Sequence, residues 1–264
     1  MRLSRLASAV SALILTTGLA LIGAAPAHAA APSYAALGDS YSAGVGAGSY
    51  DSSSGDCKRS TKAYPALWAA AHAPSAFAFT ACSGARTGDV LNNQLGPLNA
   101  STGLVSISIG GNDAGFSDVM TTCVLNSEST CLARIAQART YADNTLPGLL
   151  DNVYNAIHAK APNAHVVVVG YPHFYKINGN CWGGLSDTSR AAINGAADEL
   201  DTVTAKRAAN HGFSFADVRG TFTGHELCSG SPWLNSLTFP IDESYHPKAA
   251  GQSGGYLPAF SSAA

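Results

Sequence analysis

The run Tyr34-Ala35-Ala36-Leu37-Gly38-Asp39-Ser40-Tyr41-Ser42 compresses a change of backbone direction into a few residues. Residues 34–37 are apolar and suit a short buried strand. Gly38 then permits a sharp turn, because it lacks a Cβ. Ser40 falls where the strand turns into a helix. There its Oγ points into a crevice and its N–H, at the helix start, faces an anion.

Working outward, residues 77–81, 104–109, 166–169 and 213–218 have the length and the β-branched or aromatic content of further buried strands. Helix-like segments lie between them. Residues 63–72 are alanine-rich, and 131–160 have helical periodicity predicted to bend or break near Pro147. Residues 186–210 open on a polar cap and stop at His211-Gly212. Strands alternating with helices imply an α/β protein with a mostly parallel sheet covered on both faces. No internal repeat or charge block interrupts it. The Gly/Ser-rich stretch 44–55 reads as a loop, a candidate mobile rim, with Cys57 tying its far end.

The amino terminus reads as an export signal. Arg2 and Arg5 precede an apolar run at 7–25, and Ala27-His28-Ala29 supplies a small-residue cleavage pattern. A signal at 1–29 and one domain at 30–264 are therefore expected, with a soluble, exported product and no stable membrane insertion. Only 12% of the 264 residues are charged, 46% are hydrophobic and the net charge is −2. That balance offers no field for nucleic acid. Nothing indicates oligomerisation, and a monomer is expected.

All six cysteines follow the signal. An even count on an exported chain implies disulfides, and the spacing does not resemble a zinc site. Fifteen pairings are formally possible. The in-order set Cys57–Cys82, Cys123–Cys131 and Cys181–Cys228 closes the shortest loops. On the loop-entropy argument each link stabilises the fold by roughly 2.5–4 kcal/mol.

In open parallel sheets, functional groups gather beyond the carboxyl ends of the strands. Three such ends carry unusual residues: Gly38-Asp39-Ser40-Tyr41-Ser42, Cys82-Ser83-Gly84-Ala85 and Gly110-Gly111-Asn112-Asp113. The Ser40 N–H, the Gly84 N–H and the Asn112 side-chain amide are candidate donors of an oxyanion hole. Fixed donors of this kind stabilise charge on a former carbonyl oxygen. Each residue alone has a plainer explanation as a turn former or cap. Their joint placement after successive strands favours the chemical one. Serine at position 42 places Ser40 outside a Gly-x-Ser-x-Gly elbow and disfavours an ordinary α/β-hydrolase order.

A serine hydroxyl needs a base. Of the eight histidines, His28 leaves with the signal. His72, His158 and His211 fall at or near helix ends, His165 starts a strand run, and His173 and His225 lie in loops. His246 differs. It precedes Pro247 and a final helix-like segment, and proline at the first helical position would aim the residue before it.

Gly38-Asp39-Ser40, Gly84, Gly111-Asn112-Asp113 and His246 together resemble the four ordered blocks of the SGNH (GDSL) hydrolase superfamily. The closer resemblance is to secreted streptomycete-type GDSL lipases and esterases. It spans the whole chain after the signal, including the six-cysteine framework and the extended run from Gly38 to Gly46. It implies a three-layer α/β/α sandwich around a parallel sheet of about five strands. It also implies Ser40 as nucleophile and His246 as base, with Ser40, Gly84 and Asn112 as the oxyanion hole. It supports in-order pairing of the cysteines, and no metal or organic cofactor.

The family often places Asp three residues before the histidine, whereas this chain has Glu243. Either Glu243 or the Ser244 main-chain carbonyl could orient His246. The carbonyl is the favoured alternative and Asp242 a distant third. The expected substrates are carboxylic esters of fatty acids, including triacylglycerols. Phospholipid acyl esters, polysaccharide O-acetyl groups and a catalytically inactive binding module are the alternatives. A histidine base further predicts activity falling as pH drops through the histidine range.

Overall fold

In the computed structural model, which describes residues 31–181 and 184–264, alternate residues of β1 (Ser33–Gly38) feed two separate cores. Tyr34 and Ala36 pack with Val167, Val169, Ile193 and Phe260, whereas Ala35 and Leu37 pack with Val105, Ile107, Leu150 and Ile157. A strand that is apolar on both faces belongs inside a sheet covered on both sides. The expected signal at 1–29 lies outside the described residues.

The other strands are β2 (Phe77–Phe79), β3 (Thr102–Ser108), β4 (His165–Val169) and β5 (Ser214–Ala216). They form one sheet in the order β2-β1-β3-β4-β5, every pair parallel. Val166 to Val169 of β4 are all buried. Each contributes at most about 1.5–3 kcal/mol of hydrophobic stabilisation. The order reverses at β1, so the chain leaves the sheet in opposite directions from β1 and β3 and opens a crevice beyond their carboxyl ends. In register, Gly38 faces Ser108 across that point. Gly38 has φ +117°, and a Cβ there would lie 2.3 Å from the Ser108 carbonyl oxygen. Only glycine fits.

Helices α1 (Ser40–Ala43), α2 (Tyr64–His72), α3 (Thr87–Asp89), α4 (Phe116–Leu125), α5 (Glu128–Asn144), α6 (Leu146–Lys160), α7 (Asp187–Asn210), α8 (Ala249–Gly251) and α9 (Leu257–Ala263) complete three layers. The helical stretch expected at 131–160 is two helices separated at Thr145. Pro147 sits in the first turn of the second, where its missing N–H costs nothing. The first begins at Glu128, because Ser127 caps it by accepting from the Thr130 N–H. Helix α4 had no counterpart in the sequence reading. Pro247 does not open a helix. It bridges to Leu234, and α8 starts after Lys248.

Disulfides join Cys57 to Cys82, Cys123 to Cys131 and Cys181 to Cys228. The first anchors the 44–55 loop to the segment after β2. Within that loop the Gly46 N–H donates to the Tyr50 hydroxyl at 2.9 Å, and Ser60 Oγ donates to the Gly48 carbonyl at 2.5 Å. This segment is tethered at several points rather than hanging free.

Candidate active site

Asp39 caps α1: its carboxylate accepts from the Tyr41 N–H at 3.0 Å. Cap and Gly38 turn together place Ser40 at the first helical position, where its N–H has no intrahelical acceptor. Asp39 is buried and also accepts from Ser108 Oγ at 2.7 Å and the Tyr171 hydroxyl at 2.5 Å. Burial pushes its carboxyl up to about 6, against the opposing pull of Tyr171, Ser108 and Tyr41.

Ser40 and His246 lie 206 positions apart, yet Ser40 Oγ sits 2.7 Å from His246 Nε2. On the other side of the ring, Nδ1 lies 3.0 Å from the Ser244 carbonyl oxygen. A carbonyl can only accept, so Nδ1 carries the proton and Nε2 is the free acceptor facing the hydroxyl. Tyr41 locks this arrangement from the neighbouring position. Its hydroxyl donates to the Tyr245 carbonyl at 2.8 Å, and its ring lies 5.0 Å from the imidazole.

The acidic candidates for orienting the ring are engaged elsewhere. The Glu243 carboxylate accepts from the Tyr50 hydroxyl at 2.8 Å, and Asp242 pairs with Lys58. Burial drives the His246 pKa down to about 4, although the Ser244 carbonyl and Asp242 resist. The histidine range in which the sequence reading placed the loss of activity therefore moves to lower pH. Between about pH 4 and 6.5 the unfolded chain binds a proton at this ring that the folded chain does not. His246 thus makes stability rise with pH over that window. Asp39, with its raised value, acts oppositely between about 4 and 6. Imidazole ¹⁵N shifts followed against pH are expected to show His246 neutral at pH 6. A midpoint above 6 would contradict the burial argument.

The second strand end forms a tight turn, in which the Ala85 N–H donates to the Cys82 carbonyl at 3.1 Å. Gly84, at φ +75°, takes the third place of that turn, which requires positive φ, and is exposed. The Cys82 N–H donates to the Gly38 carbonyl at 3.0 Å, which hangs the turn on the end of β1. Asn112 Nδ2 donates to the Ala85 carbonyl at 3.0 Å, so the third block is tied to the second. That bond fixes the amide and leaves its other hydrogen available. Asp113 braces α3 instead, accepting from Thr87 Oγ1 at 2.6 Å.

Tyr171, after β4, is a contributor that the sequence reading passed over. Its hydroxyl donates to Asp39 and accepts from the Gly111 N–H at 3.3 Å, joining the turns that carry Ser40 and Asn112. The available signal was Gly170-Tyr171 at a fourth strand end. Beside Ser40 and Asn112 opens a cleft otherwise lined mainly by apolar side chains, among them Phe116, Met120, Phe174 and Ile193. Of the other histidines, His173 and His211 pair with Asp198 and Asp151 and take no part here.

A parallel sheet presenting a hydroxyl, a neutral imidazole and nearby hydrogen-bond donors at its switch point defines a hydrolase of the acyl-transfer class. Residues 36–253 match the GDSL-like Lipase/Acylhydrolase family, and the chain belongs to that family. It is a carboxylic ester hydrolase. It is 70% identical to "Lipase 1" of Streptomyces coelicolor over the full length of both chains. The crystal structure of an extracellular lipase from Streptomyces rimosus, 68% identical, superposes with a TM-score of 0.87 and covers 89% of this chain and 100% of that one. A phospholipase A1 from Streptomyces albidoflavus, 64% identical, gives the same TM-score and the same coverage.

Proposed function

We propose that the protein is an exported serine lipase and esterase that hydrolyses fatty acyl esters through an acyl-enzyme on Ser40. The 2.7 Å contact between Ser40 Oγ and the unprotonated Nε2 of His246 carries this reading. His246 takes the hydroxyl proton as Oγ attacks the ester carbonyl, and the Ser40 N–H, the Gly84 N–H and Asn112 Nδ2 receive the developing oxyanion. The imidazolium then protonates the departing alcohol. Water, activated by the same ring, releases the acid and restores the serine. The Ser244 carbonyl orients the ring. The step needs no metal or organic cofactor, because the base and the donors supply its proton transfers and charge stabilisation.

The apolar cleft supports a hydrocarbon acyl group over the acetyl group of a polysaccharide. Likeness to a phospholipase A1 favours phospholipid acyl esters as a second substrate class. Three disulfides and an extracellular relative support export. Parallel assays on triolein, phosphatidylcholine and acetylated xylan test the substrate class, with the lipids expected to turn over and the xylan not. A fluorophosphonate probe is expected to label Ser40, and a natively folded protein without label would remove the nucleophile. Glu243→Gln is expected to keep a near-wild-type rate, because that carboxylate serves Tyr50. A large loss with intact folding would transfer the orienting role to Glu243.

A further inference from the structure

We infer that Tyr171 is a positioning residue for acyl transfer. Its hydroxyl sets the spacing between the Ser40 N–H and the Asn112 side-chain amide, two oxyanion donors brought from separate strand ends. The inference rests on the reading of those groups as an oxyanion hole and names what keeps them in register.

The two turns are held unequally. Asp39, in the Ser40 turn, accepts from the Tyr41 N–H and from Ser108 Oγ, and its own N–H donates to the Ser108 carbonyl at 2.9 Å. Gln94 grips the preceding residue from another side. Its Oε1 accepts from the Gly38 N–H at 2.6 Å, and its Nε2 donates to the Gly38 carbonyl at 2.8 Å. The turn that carries Asn112 has fewer such ties. The Gly110 and Gly111 carbonyls accept only within their own loop, from the Ala114 and Phe116 N–H groups. Asn112 Nδ2 and the Asp113 carboxylate reach Ala85 and Thr87, both in the segment after β2. The bond that leads directly back to the Ser40 turn runs through Tyr171, whose hydroxyl accepts from the Gly111 N–H at 3.3 Å and donates to Asp39 at 2.5 Å.

Tyr171 suits a strut because both of its ends are fixed. Its ring is buried, and the Tyr41 ring meets it edge-on at 5.1 Å. Its N–H donates at 2.9 Å to Oδ1 of Asp201, a fully buried side chain of α7 that takes no direct part in the chemistry. Glycine at position 170 permits that approach, since a Cβ there would lie 2.8 Å from Asp201 Oδ2. Removing the hydroxyl therefore frees the Asn112 side of the pair, while the Ser40 side keeps its other bonds. A shift of about 1 Å in a group that must meet a developing charge costs a factor on the order of 10² in rate.

Tyr171→Phe removes the hydroxyl and keeps the buried ring. In the otherwise native protein, kcat on p-nitrophenyl butyrate is expected to fall at least tenfold. In an Asn112→Ala background the same change is expected to cost less than threefold, because the donor it positions is already gone. A smaller loss in the native background overturns the inference. So does an equal factor in both backgrounds, which general loosening of the fold would produce. Affinity for a trifluoromethyl ketone, which forms a tetrahedral oxyanion adduct on the serine, is expected to fall at least tenfold in Tyr171→Phe. Unchanged affinity would place the loss outside the oxyanion hole and overturn the assignment. Should Tyr171→Phe fail to fold, Gly111→Ala disturbs the same contact, since its Cβ would lie 3.3 Å from the Tyr171 hydroxyl oxygen, and it is read through the same cycle. An Asn112→Ala single variant with turnover within threefold of wild type would remove the oxyanion reading itself, so the two failures are told apart.

Discussion

Ser40→Ala is expected to lower kcat by several orders of magnitude, up to about 10⁶. The hydroxyl has no substitute among its neighbours, because Asp39 is held by Tyr41, Ser108 and Tyr171 and cannot reach forward as a nucleophile. The same change removes one hydrogen bond, to His246 Nε2, which contributes only about 1 kcal/mol to folding. Far-UV circular dichroism and thermal midpoint should therefore stay close to wild type while turnover of an activated ester collapses. Some acceleration over water should survive, because the oxyanion donors remain. Turnover within tenfold of wild type, in a folded variant, would place the nucleophile elsewhere.

Asn112→Ala is expected to reduce kcat by on the order of 10²–10³ with little change in KM. Charge builds on the carbonyl oxygen only as Oγ attacks, so a donor aimed at that charge acts on the transition state more than on bound substrate. The structure gives Asn112 a second task, since its Nδ2 holds the Ala85 carbonyl and thereby the turn that presents Gly84. Loss of that bond alone costs about 1 kcal/mol of stability. A modest fall in thermal midpoint is thus compatible with the assignment, whereas turnover within threefold of wild type is not. The KM-against-kcat split distinguishes the two tasks, because a merely displaced turn would weaken substrate binding as well.

Several features could be read along the chain because their causes are local. Glycine at position 38 answers a steric demand at the end of a strand, so a turn into the Ser40 helix follows from a few residues. The run Val166 to Val169, apolar at every position, announces a strand buried on both faces. Ser186 stops the chain from fraying by accepting a backbone N–H, and such a cap is visible in sequence, whereas the cap at Ser127 and the start of α5 at Glu128 came only with the structure. Helix α4 leaves no comparable mark, because its start, Gly115, offers no side-chain cap and its pattern mixes Thr, Asp and Ser with apolar residues.

Other features have no local cause. A main-chain carbonyl carries no signature in sequence, so only the fold could show that the Ser244 oxygen meets the imidazole, while Tyr50, 193 positions away, occupies Glu243. The low pKa of His246 comes from burial beneath Tyr41 and neighbouring elements, and burial is a property of the assembled molecule. The apolar cleft beside Ser40 likewise depends on how α4, α5 and α7 pack. Residue type and spacing alone determined the turns, the strands, the caps and the candidate chemical groups. Tertiary structure decided which of those groups meet, in which protonation state, and what shape of substrate can lie against them, because distance, desolvation and cavity shape arise only when remote segments are brought together.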